Sequence, residues 1–349
     1  MGMNDLLKQL TEVAGVSGDE NDVRRLIRDL IVDHVDEWSV DTMGNLLATR
    51  RGTGQYDLRV LVDAHMDEVG LIVTDIDSSG MLSFVSIGGF DDRALLGKIV
   101  RVGPNGVVGV IGARAVHLLK AGEMSKVVRQ DAMRIDIGAR SKESAGGKVK
   151  VGDRAAFVTE YEELEGGRAA IGKAFDNRAG CAALIELLRG ERYPFDIIAA
   201  FSVQEEVGLR GARVASAGVR PDVALVLECT PAYDQPKEGD VSSNVVMGKG
   251  VSVYVMDAGT IQDPRLVAHV MATADAHGIP YQVRQPGGGG TNTGAIQRAG
   301  AGIPAATLAV PGRYAHTPSL MISLDDYENM IRLADAVLRG LTPDTLRRE

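Results

Sequence analysis

Two histidines and a handful of carboxylates stand where this sequence changes character, and their types suit metal-assisted hydrolysis. His65-Met66-Asp67 stands towards the end of an apolar strand read in the stretch 57–69. Side chains two apart on a strand share a face, so His65 can ligate a metal while Asp67 orients or polarises it. Gln204-Glu205-Glu206-Val207-Gly208 sits where an apolar stretch gives way to a helical one. Adjacent carboxylates are costly to bury without a cation. One can bind metal while its neighbour takes a proton from water. Asp176 lies just before a helical stretch, where a carboxylate can bridge two metals; Glu228 closes the run 223–227, and His316 follows the run 305–310. A mixed nitrogen and oxygen donor set of this kind fits zinc, cobalt or manganese. Each residue also has an ordinary structural reading. Glu205 and Glu206 can be a solvated helix start, His65 a satisfied core histidine and Asp176 a helix cap. Glu228 can be a strand end and His316 a loop residue. Periodicity alone does not choose.

The elements that would position these residues follow from the apolar pattern. The first 40 residues read as helix, with Val23, Leu26, Ile27, Leu30, Ile31 and Val35 recurring at three and four. Runs 57–69, 195–203, 223–227, 251–256, 281–284 and 305–310 read as strands, and 178–188, 208–217, 264–277 and 292–299 as helices. A last helix starts after Ser323, with Asp326 as a capping-box partner and Gly340 as its stop. Between 71 and 163 the texture changes to short β-favouring pieces separated by turns, with one short helix around 125–131. The expected fold is therefore α/β, a mixed sheet flanked by helices, with a small β-barrel-like insertion. Its segments are 1–70, 71–163 and 164–349.

Composition narrows the class. Of 349 residues, 45% are hydrophobic and 24% charged, a globular balance. The net charge of −9 argues against nucleic acid and anionic membranes as partners. Aromatics at 4% disfavour a stacking surface for single-stranded nucleic acid. No apolar run approaches the roughly 18 residues of a membrane span, and the amino terminus carries no basic-then-apolar leader pattern, so a cytoplasmic protein is expected. Two cysteines, Cys181 and Cys229, cannot organise a disulfide scaffold. The glycine run 287–290 is not a phosphate loop, since no GxxxxGK[ST] pattern follows it.

Seven stretches together resemble the tetrahedral aminopeptidase family, which includes glutamyl and deblocking aminopeptidases. They are VDAHMDEVG (62–70), ALLGKIVRV…GVVGVIGARAVHLL (94–119), IGKAFDNRAG (171–180), SVQEEVGLRGA (202–212), MGKGVSV (247–253), GGGGTNTGAI (287–296) and VPGRYAHTPS (310–319). They occur in the family's order across nearly the whole chain. The resemblance implies two divalent metal ions per subunit, zinc or cobalt, with manganese as a further option. In that family's pairing His65 goes with Glu228, and Glu206 with His316, around a bridging Asp176. Glu205 is the implied general base and Asp67 the support of His65. The bond after Asp176 is often cis in similar enzymes. The implied reaction is removal of the N-terminal residue from short peptides with a free N-terminus. The β insertion resembles the family's dimerisation domain, and such dimers build tetrahedral dodecamers. Two departures stand out. The family often has Asp where this chain has Glu228, and GTDA or similar where this chain has GTNT with Asn292. The competing reading is a related metal-dependent carboxypeptidase or deacylase.

Overall fold

Strands buried on both faces read as near-continuous apolar strings, and four such strings make the centre of this molecule. The computed structural model describes residues 2–234, 245–285, 287 and 289–348. In it, Asp196–Ser202, Arg59–His65, Val223–Pro231 and Ala305–Arg313 lie side by side in that order, all parallel. Leu46–Arg50 and then Glu37–Val40 extend the sheet antiparallel on one side. On the other, Ala305–Arg313 pairs with Leu320–Ser323, followed by Ala169–Gly172 and Glu162–Leu164. Val251–Tyr254 also pairs with Ala305–Arg313 and carries Tyr281–Arg284. Among the described residues the mixed sheet therefore has eleven strands.

The pleat decides which helices cover which face. Val60, Val62 and Ala64 pack with the helices Met3–Glu12, Asn21–Ile31, Phe175–Arg189, Pro264–His277 and Leu324–Gly340. Leu61, Ala200 and Val226 pack on the opposite face against Arg210–Val219 and Thr293–Ile296. Each large side chain so buried contributes about 1.5–3 kcal/mol. By the same alternation Asp63, His65 and Glu228 fall on the Leu61 and Val226 side.

The insertion closes on itself. Gly70–Ile76, Leu82–Ile87, Arg134–Asp136, Val107–Gly112, Ile99–Val102 and Arg154–Phe157 form a six-stranded antiparallel barrel. Leu71, Phe84, Val100, Ile111, Ile135 and Phe157 are among the residues that fill it.

Several sequence expectations need correction. The helical reading of the first 40 residues ends early, because Glu37–Val40 is a strand. All four of its residues are exposed, so it leaves no alternation to read. The expected helix around 125–131 is absent; only a 3₁₀ turn, Gln130–Ala132, forms there. The helix expected over 292–299 is the single turn Thr293–Ile296. Ser323 does cap the last helix, but Asp326 forms no capping box. Its carboxylate instead accepts the amides of Gly248 and Gly250. Gly340 is the last helical residue rather than the stop beyond it. Gly288 of the expected glycine loop lies outside the described residues.

Candidate metal centre

All four central strands run parallel, so their carboxyl ends open on one edge, where sites in α/β sheets form. His65 is the last residue of its strand. Glu205 and Glu206 follow Asp196–Ser202, and His316 follows Ala305–Arg313. Glu228 departs from expectation. It lies inside Val223–Pro231, because pairing with Ala305–Arg313 continues past it to Pro231.

Asp176 comes from another direction. Its backbone and that of Asn177 leave helical geometry, and the peptide between them is cis. Flanking side chains hold this bend. Lys173 Nζ donates to Glu68 at 2.7 and 2.9 Å, and Arg178 Nε donates to the Met66 carbonyl at 2.7 Å. Asn177 Nδ2 donates to the Leu227 carbonyl at 2.7 Å, tying the bend to the strand that carries Glu228. Glu68, Lys173 and Arg178 are fully or almost fully buried, and such charges persist only when paired.

The two histidines are oriented alike. His65 Nδ1 lies 3.0 Å from the Asp67 carbonyl oxygen, and His316 Nδ1 lies 3.0 Å from that of Gly89, just beyond a barrel strand. A ring nitrogen that donates to a carbonyl fixes the tautomer and leaves the other as a ligand atom. His65 Nε2 then faces Asp176 Oδ1 at 3.3 Å and Glu228 Oε2 at 3.5 Å. His316 Nε2 faces Asp176 Oδ2 at 3.6 Å and Glu206 Oε2 at 3.6 Å. Ligand atoms of His65, Asp176 and Glu206, and of His65, Glu205 and Glu228, also fall within 4.8 Å of one another. The second grouping includes Glu205, which stands near enough to ligate; the facing distances of the histidines divide the other five residues into two sets sharing Asp176.

The carboxylate of Asp67 does more than the sequence implied. It stands 3.5 Å from His65 Nδ1, but it also accepts the amides of Glu205 and Glu206 and the Ser17 hydroxyl. Burial pushes its acidity down, yet the bonds from His65, Ser17 and Glu205 hold it below the ordinary carboxylate range. Elsewhere negative charge is in excess. Burial, together with neighbouring carboxylates and against the pull of His65, pushes Glu205 and Glu206 well above their usual range, and Glu228 upward. Burial works against a charged His65, but Glu228, Asp176 and Asp67 raise it well above normal. Glu228 Oε1 is buried with no hydrogen-bond partner among the described residues. A pocket with surplus carboxylates and an orphaned acceptor calls for divalent cations, and the donor set fits them.

A model of the M42 glutamyl aminopeptidase family matches residues 44–333. The chain belongs to the M42 family. It is thereby a peptide hydrolase of aminopeptidase type, and the family's chemistry depends on divalent metal ions. Similar proteins match it over most of its length. A TET aminopeptidase from a marine-sediment Thaumarchaeota archaeon is 37% identical, with a TM-score of 0.93 over 99% of this chain and 98% of that one. A lysyl aminopeptidase of Pyrococcus furiosus is 34% identical over 97% of this chain and 97% of its own length. The TET1 peptidase of Pyrococcus horikoshii, which can assemble into a tetrahedron or a large octahedral shell, is 35% identical with a TM-score of 0.86, covering 97% of this chain and 100% of that one.

In this M42 chain the carboxylates and histidines line a cleft of about 570 Å³ together with Tyr254, Arg284 and Thr291. A larger surface groove, about 680 Å³ between Pro264–His277 and Leu324–Gly340, contains none of them. Sequence reasoning missed what lies beneath. Asn292 is fully buried and donates to Asp63 Oδ2 at 2.7 Å and Ser202 Oγ at 2.8 Å, behind His65. Burial raises the Asp63 pKa to about 7, against the bonds from Asn292 and Ser202. A carboxylate in the middle of the run Val60–Leu61–Val62–Asp63–Ala64 was the available signal.

Proposed function

We propose that this M42 chain removes N-terminal residues from short peptides with a free N-terminus, using two divalent ions, zinc, cobalt or manganese. His65 and Glu228 would hold one ion and His316 and Glu206 the other, with Asp176 shared between them. The observation that carries this reading is the split of the Asp176 carboxylate between His65 Nε2 and His316 Nε2. When bound, the ions supply Lewis acidity that polarises the scissile carbonyl and acidifies water. Glu205 takes the proton from the attacking water and delivers it to the leaving amine. Its burial raises its proton affinity, as a base working near neutral pH needs. Asp67 holds His65 and the Glu205–Glu206 pair in one frame.

The segments 1–70 and 164–349 form the catalytic α/β unit, and 71–163 the unit through which copies pair into dimers and tetrahedral dodecamers. Leu96, Ile99, Val108, Val116, Leu118 and Met124 in that middle segment are large apolar side chains left exposed, as a self-association face requires. Both cysteines are free and buried, which fits the reducing cytoplasm.

The test uses the metal-loaded oligomer with paired peptides, one free and one N-acetylated. The free-amine peptide is cleaved and the blocked one only slowly. Equal rates would favour a carboxypeptidase or deacylase. Glu205→Gln retains its metal and loses most activity. Turnover at the wild-type rate would remove Glu205 as the base.

A further inference from the structure

The loop that presents Glu205 and Glu206 is suspended from side chains of the first 70 residues. Where Asp196–Ser202 ends, four successive amides lose their ladder partners, and buried amides must find others. Val203 N donates to Asn45 Oδ1 at 2.9 Å, and Gln204 N to Glu20 Oε1 at 3.2 Å. Glu205 N and Glu206 N donate to the two oxygens of Asp67 at 3.0 and 3.2 Å. Asn45 and Asp67 are fully buried and Glu20 nearly so.

The two outer supports are themselves fixed. Asn45 Nδ2 donates to the Gly211 carbonyl at 3.0 Å and to Asp41 Oδ2 at 2.6 Å, so one side chain grips both ends of the loop. Glu20 Oε1 also accepts the Gly18 amide at 2.8 Å, in the turn whose Ser17 bonds Asp67. The loop needs such support, because Gln204 adopts φ of 55°, a region few non-glycine residues enter unaided. Neither Glu20 nor Asn45 is hydrogen-bonded to His65, Asp176, Glu206, Glu228 or His316.

We propose that Glu20 and Asn45 are positioning residues for the reaction. By fixing the amides of Val203 and Gln204 they set where the Glu205 carboxylate stands. The inference rests on Glu205 being the base. A misplacement of about 1 Å at a reacting group can cost on the order of 100-fold in rate.

The experiment compares Glu20→Leu, Glu20→Gln, Asn45→Ala and Glu205→Gln with wild type, all as metal-loaded oligomers, for kcat, KM and bound metal. Glu20→Leu and Asn45→Ala lower kcat by about 10–100-fold, with KM and metal content little changed. Glu20→Gln recovers kcat to within about threefold of wild type, since its amide oxygen accepts the same two bonds. Should Asn45→Ala fail to fold, the two Glu20 variants decide. Wild-type kcat in Glu20→Leu beside an inactive Glu205→Gln would overturn the positioning role and leave the base in place. So would a Glu20→Gln enzyme as slow as Glu20→Leu. Full activity in Glu205→Gln would instead overturn the reading beneath it.

Discussion

Asp67 Oδ1 accepts the main-chain amide of Glu205 at 3.0 Å. The residue beside His65 in space thus also fixes the start of the neighbouring acidic pair. One buried carboxylate sets the distance between a candidate metal ligand and the candidate base. Asp67→Asn leaves a single acceptor oxygen for two amides and a hydroxyl, and turns an NH₂ group towards another donor. The variant should fold and lose about 10–100-fold in kcat, with weaker metal retention. Steady-state kinetics with metal analysis checks both. Unchanged values would mean that Asp67 only fills space.

Gly211 is where the loop closes. A Cβ there would lie 2.3 Å from Asn45 Oδ1 and from the Val203 carbonyl oxygen. The second contact is backbone and cannot swing aside. Gly211→Ala should destabilise the chain by at least about 2 kcal/mol and lower activity in the molecules that remain folded. The urea unfolding midpoint is the measurement.

Glu20 gives the stability a pH dependence of definite sign. Burial, helped by the charge of Asp67 and opposed by the amides of Gly18 and Gln204, raises its pKa from 4.5 to about 7. A carboxyl raised in the fold holds its proton where the unfolded chain has released it. Its contribution is therefore greatest below about 4.5 and is lost as pH rises towards 7, by up to about 3 kcal/mol. Glu20→Gln cannot lose a proton. Wild type should fall in stability relative to this variant between pH 5 and about 7, and the gap should then level off. Denaturant unfolding of both across that range checks it, and parallel curves would refute it.

What the sequence reveals and conceals has a common physical cause. His65, Glu206 and His316 could be singled out because each ends or follows a buried run, and the carboxyl ends of parallel strands converge. Glu228 was found but misplaced, since only pairing with Ala305–Arg313 reveals that its strand continues. Glu37–Val40 was missed because an exposed edge strand has no apolar rhythm. Glu20 and Asn45 were invisible as supports. Their partners are main-chain amides 184 and 158 residues away, and an amide has no residue type to read. Asn292 was noticed only as a departure from the resembled family's pattern. It lies buried behind His65, donating to Asp63 and Ser202.

The central claim is that one carboxylate, Asp176, serves two cations held by separate histidines. Anomalous diffraction at the zinc absorption edge from crystals of zinc-loaded protein tests it most directly. Two peaks are expected in each chain, one between His65 and Glu228 and one between His316 and Glu206, both touching Asp176. A single peak, or peaks that leave Asp176 without a cation, would contradict it.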